Sequence, residues 1–199
     1  MTTTRAPRKT RNTSSPEDQE QAILSAAGAE FTSVGVRRAN MDEVAAQAGV
    51  SRSTLYRRFP NKEALLLAVA NDLYERGMRR LEQAVVGLGP ADAVVEAFAE
   101  GALMVSEDPL MRRLVLTDSE MKGITASVTA LFIDMVTDRV AATLREAGAT
   151  MPADDLLQAV ELHVRLVISY LEVPTSDESR TQPEAVRALA AKYLAPMIW

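Results

Sequence analysis

With 199 residues, 47% of them hydrophobic, the chain has room for one large or two small domains with a buried core, which excludes wholesale disorder. The absence of cysteine removes disulfides, thiolate metal sites and cysteine nucleophiles, and fits a reducing compartment. The net charge of −5 would by itself argue against a polyanionic partner, but residues 1–62 carry 10 Lys and Arg against 6 Asp and Glu (+4), and residues 63–199 carry 12 against 21 (−9), so a basic module precedes an acidic remainder.

Residues 1–16 read as a flexible basic arm. Arg5, Arg8, Lys9 and Arg11 suit a DNA backbone or minor groove. A solubilising terminus is the alternative reading. Deleting the arm separates the two, because only an arm that touches phosphates contributes to the salt dependence of binding. The segment lacks the apolar run of a secretory signal, and no later run is long and uncharged enough to span a bilayer. A cytoplasmic protein without membrane contact is expected.

Every periodic segment has the helical period, so the chain is expected to be all-α, with about nine helices and no internal repeat. Ser15 is placed to cap a helix opened by Pro16, Glu17 and Asp18, with Ile23, Ala27, Phe31 and Val34 as its apolar stripe and Gly35 as its stop. Asn40 followed by Glu43 is a variant capping box for a helix that turns Met41, Val44, Ala45 and Ala48 inward and stops at Gly49. Ser51 caps the next helix almost at once; Val50, Leu55 and Phe59 face inward, and Pro60 closes it. From Asn61 or Lys62 a longer helix runs to about Gly87, carrying Leu66, Val69, Leu73 and Leu81 on its core side. Further helices are expected near residues 91–106, 108–117, 119–147, 153–173 and 183–198, divided by Pro109, by Gly148 with Pro152, and by "PTSDESRTQP".

Two short helices joined by a tight glycine-containing turn describe a helix-turn-helix, whose second helix can enter a major groove. With Leu55 and Phe59 inward, Arg52, Ser53, Thr54, Tyr56, Arg57 and Arg58 turn outward to varying degrees. Arginine can pair bidentately with a guanine edge, hydroxyls can meet bases or phosphates, and a tyrosine hydroxyl can donate to a phosphate oxygen. Lys62 adds a cation at the N-terminus of the following helix, where free N–H groups suit a phosphate. Asn40, ahead of the second helix, joins this DNA-facing set. The alternative is a solvated charged surface on a small bundle, which explains one arginine better than the whole constellation.

"MDEVAAQAGVSRSTLYRRFPNKEALL", Met41 to Leu66, closely resembles the DNA-binding signature of the TetR family of bacterial transcription regulators. The specific pattern covers about residues 20–70; beyond it, the likeness is in length and helix count. The resemblance implies a helix-turn-helix DNA-binding domain over residues 17–61, with residues 51–58 as recognition helix, and an effector-binding and dimerisation domain over residues 62–199. It carries phosphate contact onto Tyr56 and Lys62, and base or backbone contact onto Arg52, Ser53, Thr54 and Arg57. Many relatives have glycine where Ser53 stands and histidine or tyrosine where Arg58 stands. Ser53 is therefore expected to alter the backbone's approach to DNA, and Arg58 to add a salt-dependent contact.

The larger part contains little that could do chemistry. It has no Gly-rich phosphate loop after a strand, no HExxH, no GxSxG and one histidine, His163. No enzyme activity, cofactor or metal is expected; Glu96, Glu100, Asp118 and Glu120 are the carboxylates a catalytic reading would need, and solvated helix charges are the simpler account. The segment 153–173 is apolar around much of its girth. Leu156, Val160, Val167 and Tyr170 form one stripe and Leu157, Val164, Ile168 and Leu171 another, which suits a helix between its own core and a second subunit. Val186, Leu189, Tyr193 and Met197 give the last helix a single stripe for the same interface. The resemblance likewise implies a homodimer built from the last two helices as a four-helix bundle. It also places Phe98, Met104, Met111, Met121, Leu131, Met135, His163 and Tyr170 on helices that line an effector cavity, predicting a mainly apolar ligand. For His163, a core or interface histidine is the plainer alternative.

The reading that follows is a DNA-binding transcriptional regulator, a repressor released from a palindromic duplex operator by a small-molecule effector. One alternative is a helix-turn-helix protein with no effector, which a filled core without a cavity would favour. The other is an all-helical enzyme, which turnover and carboxylate dependence would have to show.

Overall fold

At the start of α1 (Pro16–Val34), Ser15 Oγ accepts the Asp18 N–H and the Asp18 carboxylate accepts the Ser15 N–H, both at 3.0 Å. This capping box joins Pro16 in defining where the first helix begins. The computed structural model describes residues 15–115, 125–173 and 176–199. The basic arm thus lies outside the described residues. The chain divides into two compact units, Met1–Val69 and Ala70–Trp199.

In the first unit, α1 is followed by α2 (Met41–Gln47), α3 (Arg52–Arg58) and the beginning of α4 (Lys62–Ala84). Ile23, Phe31, Val44, Leu55 and Leu65 are buried almost completely and form its interior. Leu65, Val69 and Leu73 of α4 are buried at steps of four, with Met78 and Leu81 buried further along, so Leu65 takes the core position expected of Leu66, which is half-buried.

The start of α2 also departs from expectation. Asn40 Oδ1 accepts the Asp42 N–H at 2.9 Å, as a cap should, but the Asn40 N–H is taken by the buried Glu30 carboxylate of α1 at 3.1 Å, where a capping box would use Glu43. The reciprocal bond is tertiary. Replacing Glu30 by alanine leaves a half-buried N–H without its acceptor and should cost about 1–3 kcal/mol in denaturant unfolding, whereas Glu43→Ala should stay within about 0.5 kcal/mol. Equal losses would restore the local box.

The second unit contains α5 (Pro90–Glu107), α6 (Pro109–Val115), α7 (Thr125–Glu146), α8 (Ala153–Glu172) and α9 (Pro183–Leu189). With α1–α4 this makes nine α-helices among the described residues. A short link joins α7 and α8 as an antiparallel pair. Gly148, at φ 102°, lets the Ala149 N–H reach Leu144 O at 3.0 Å and its own N–H reach Arg145 O at 3.0 Å, a Schellman closure. Leu144, Leu156 and Val160 from this pair join Val94 of α5 and Ala190 in one core. Ion pairs fasten its rim: Arg139 of α7 reaches Glu82 at 2.7 Å and Glu75 at 3.2 Å, and Arg187 of α9 reaches Glu96 at 2.9 Å.

The last helix is not continuous over 183–198. After α9 the backbone widens into a π turn over Ala190–Leu194, with the Ala195 N–H bonded to Ala190 O, and then tightens into a 3-10 turn over Ala195–Met197. Pro196 accounts for the break, because its ring has no N–H to donate and crowds the carbonyl four residues back.

Candidate nucleic-acid interface and effector region

The turn between α2 and α3 is closed by Gly49 at φ 67°. The Val50 N–H bonds to Ala45 O at 3.0 Å and the Gly49 N–H to Ala46 O at 3.1 Å, which satisfies the last carbonyls of α2 and turns the chain directly into the next helix. Ser51 then caps α3, accepting the Thr54 N–H at 3.1 Å, and its hydroxyl also meets Ser53 Oγ at 3.0 Å and Thr54 Oγ1 at 2.8 Å. Leu55 and Phe59 are buried, which fixes the rotation of α3.

That rotation leaves Arg52, Ser53, Tyr56 and Arg57 exposed and Thr54 half-buried. Tyr56 is 42% exposed although aromatic, so its ring and hydroxyl stand at the surface beside Arg57. Arg52 pairs with Asp42 of α2.

Arg58 is placed otherwise. Its guanidinium pairs with Glu20 and donates to Pro16 O at 2.7 Å, so it ties α3 to α1 in place of the outward contact expected. Lys62 Nζ donates to Arg37 O at 2.8 Å, while Asn61 Oδ1 accepts the Ala64 N–H at 2.8 Å and caps α4. Asn40 is engaged in capping α2. Arg52, Ser53, Thr54, Tyr56 and Arg57 therefore share one helix surface, with Lys62 near its end and Asn40 at the start of the preceding helix. Glu30, Glu20 and Asp42, which hold this arrangement, were not singled out from sequence; acids pairing across 10 or 38 residues leave no local signal.

In the second unit, Met104 and Met111 line a cleft of about 380 Å³ with Leu73, Gly77, Pro109, Arg76, Arg80, Glu107 and Asp108. A β-carbon added at Gly77 would lie 3.5 Å from Met111 Cε, so the glycine leaves the cleft open at that point. The other expected pocket residues are dispersed: Phe98 lies in the core, Met135 is half-buried with its carbonyl accepting the Tyr74 hydroxyl at 3.1 Å, and Leu131 and Tyr170 are exposed. Met121 lies outside the described residues.

His163 is buried, its Nε2 has no hydrogen-bond partner, and burial pushes the imidazole down to about 4. It is neutral near pH 7. Glu96 is held by Arg187 and Glu100 by Arg80; Asp118 and Glu120 lie outside the described residues. Among the described residues, no group of three or more His, Asp or Glu could hold a metal ion, and no helix is long and apolar enough to cross a membrane.

The faces of α8 also differ from expectation. Leu157 and Val164 pack on this chain's own core, as do Val186, Leu189 and Met197, and Ile168 is half-buried. The side chain of Leu171 lies outside the described set. Exposed instead are Leu162, at 52%, Leu166 and Tyr170, which fall on one side of α8, and Val173 just past its end; Tyr193 is exposed as well. Leu162 and Leu166, four residues apart, were the available sequence signal, but on a helix apolar nearly all round they do not stand out.

Residues 23–69 match the pattern of the "Bacterial regulatory proteins, tetR family", and residues 90–192 match "Bacterial Tetracyclin repressor, C-terminal domain". The HTH-type transcriptional regulator Rv1255c of Mycobacterium tuberculosis, itself uncharacterized, is 28% identical over 186 residues, 88% of this chain and 83% of the relative. EthR of Mycolicibacterium smegmatis, an HTH-type transcriptional regulator, is 38% identical over 90 residues, 45% of this chain and 41% of EthR. Among solved structures, the TetR family repressor AlkX from Dietzia sp., implicated in biodegradation of n-alkanes, superposes with a TM-score of 0.63 at 23% identity, covering 91% of this chain and 97% of AlkX. The SmeT–triclosan complex superposes with a TM-score of 0.66 at 19% identity, covering 90% and 91%. At these identities the two structures speak to the fold.

Proposed function

This chain belongs to the TetR family, whose members are bacterial transcription regulators that bind DNA through a helix-turn-helix, and from that premise we propose that it is a homodimeric repressor released from a palindromic operator by a mainly apolar small molecule. It acts in the cytoplasm on duplex DNA and catalyses no reaction. The observation that carries the DNA reading is the outer surface of α3: Arg52, Tyr56 and Arg57 stand exposed together because Leu55 and Phe59 lock the opposite side into the core. A helix so presented offers guanidinium groups to base edges and a phenol to phosphate.

In this proposal the DNA-binding domain spans residues 17–61, after a basic arm over residues 1–16, and residues 62–199 bind effector and dimerise. Tyr56 and Lys62 hold phosphates, and Arg52, Ser53, Thr54 and Arg57 meet bases or backbone. Two-fold symmetry brings two copies of α3 to the half-sites of one operator. Leu162, Leu166 and Tyr170 of α8 form the surface the partner subunit covers, because exposed apolar side chains along one side of a helix are costly on a lone protomer.

Met104, Met111 and Leu73 give the cleft an apolar side beside Arg76, Arg80, Glu107 and Asp108, which supports a mainly apolar effector. Triclosan in SmeT and the n-alkane connection of AlkX are apolar chemistries in proteins of the same fold. Since α4 begins at Lys62 and ends at Ala84, an effector that alters its pitch shifts the spacing of the recognition helices and disfavours the DNA-competent state by its differential affinity.

Selection from a randomised duplex pool, followed by fluorescence anisotropy on the enriched sequence, tests the reading. A palindrome bound by two protomers or a multiple supports it; recovery of no preferred sequence overturns it. On that operator, Arg57→Ala should lower the slope of log affinity against log salt by about 1. Arg58→Ala should leave the slope in place and reduce stability by about 1 kcal/mol through the lost tie to Glu20.

A further inference from the structure

We propose that Asp42 is a positioning residue for base readout: its carboxylate holds the Arg52 guanidinium at the first turn of α3 and so sets the preference at one base pair of each half-site. This rests on the reading above that α3 meets base edges.

A chain of bonds fixes the backbone that carries the carboxylate. The buried Glu30 of α1 accepts the Asn40 N–H at 3.1 Å, and Asn40 Oδ1 accepts the Asp42 N–H at 2.9 Å, so Asp42 is held in place from α1 through the start of α2. Its two oxygens have different surroundings. Oδ2 pairs with Arg52 Nη2, whereas Oδ1 is buried and has no hydrogen-bond partner.

A carboxylate with one oxygen shut away from water and unpartnered is unfavourable for folding, and an ion pair whose arginine is 71% exposed returns little of that. It also sets a negative charge beside a surface meant for phosphates, opposing binding to DNA of any sequence. What the arrangement does supply is direction. Arginine has a long, rotamer-rich stem and five N–H donors, and a carboxylate that engages Nη2 restrains the exposed guanidinium while leaving its other donors free for an O6/N7 pair on guanine. An arginine already oriented loses less freedom on meeting its base, and a misdirected contact to another base becomes less available.

Specific and nonspecific binding therefore respond to Asp42 in opposite directions. The test is selection from a randomised duplex pool by wild type, Asp42→Ala, the isosteric Asp42→Asn and Arg52→Ala in the full-length protein, with anisotropy on the selected operator and on unrelated duplex and with thermal unfolding of each variant. The expected result is that Arg52→Ala erases the preference at one position per half-site, that Asp42→Ala weakens discrimination at that same position by roughly 5-fold or more, and that Asp42→Ala binds unrelated duplex more tightly. Asp42→Asn, keeping one acceptor oxygen without the charge, should fall between. Melting temperatures should not track the loss.

If Arg52→Ala relaxes a position while both Asp42 variants only raise affinity for all duplexes, Asp42 is not a positioning residue and the proposal is overturned. Should Arg52→Ala relax no position, it is the assignment of Arg52 to a base edge that fails, and this proposal with it. A variant of Asp42 that does not fold leaves the isosteric partner to decide between these outcomes.

Discussion

Replacing Leu55 by alanine should abolish specific DNA binding by unfolding the surface that carries α3, without removing any group that touches DNA. Leu55 is 0% exposed and shares the interior of the first unit with Ile23, Phe31, Val44 and Leu65. Truncating a leucine so placed costs about 2–5 kcal/mol, the spread reflecting how far the cavity can collapse. The described part of that unit runs only from residue 15 to Val69, and a body of this size buries a modest fraction of its surface, so the loss is comparable with its entire stability.

Two measurements on the same samples separate unfolding from contact loss: amide hydrogen exchange over residues 16–58 and anisotropy on the selected operator. Leu55→Ala should lose protection in α1, α2 and α3 along with binding. Tyr56→Phe should keep protection and weaken operator binding by about 10-fold, the worth of one hydrogen bond to a charged group. Retained protection in Leu55→Ala would show that the interior of this unit tolerates the cavity, and that α3 is not held by Leu55.

The second large effect is acid sensitivity traced to one side chain. His163 is the only histidine in the chain, is buried on α8, and has its pKa pushed down to about 4 by burial from an ordinary 6.5. Between those values the unfolded chain binds a proton that the folded protein refuses, so stability falls as the pH drops from about 6.5 towards 4 and levels off below that. Above pH 6.5 the group is neutral in both states and contributes no slope. By pH 5 the loss should reach about 2 kcal/mol.

His163→Phe removes the proton site from both states. Urea unfolding at pH 7.5 and pH 5 should show wild type losing about 2 kcal/mol more than this variant. Stopping at pH 5 keeps most of the carboxylate titration out of the comparison. Matching losses would mean that the native imidazole titrates in its ordinary range and that water reaches it.

Much of the DNA-facing unit was legible because its signals are local. A cap acts on N–H groups two or three residues away, a C-terminal glycine on carbonyls a turn back, and a buried pair at four-residue spacing on the rotation of its own helix. Ser15, Gly49, Ser51, Leu55 and Phe59 therefore delimit α1, α2 and α3 and turn Arg52, Tyr56 and Arg57 outward. The family follows from the same stretch, and the all-α class from the helical period of every periodic segment along the chain.

Where two local solutions were equally good, only the tertiary structure decided between them. Asn40 could have shared its capping bonds with Glu43, but the buried Glu30 carboxylate of α1 accepts its N–H at 3.1 Å. Arg58 could have faced DNA as readily as Arg57, but Glu20 and the Pro16 carbonyl engage it. On α8, Leu157 and Val164 of the stripe expected to meet a partner pack on the same core as Leu156 and Val160, while Leu162 and Leu166, in neither stripe, stand at the surface. The sequence by itself determined where helices start and stop and which chemistry the recognition helix carries, since those depend on partners within a turn or two. Which face a helix as widely apolar as α8 buries, and which charges are left for a partner, depend on side chains 10 to 91 residues away, beyond what the period of that helix encodes.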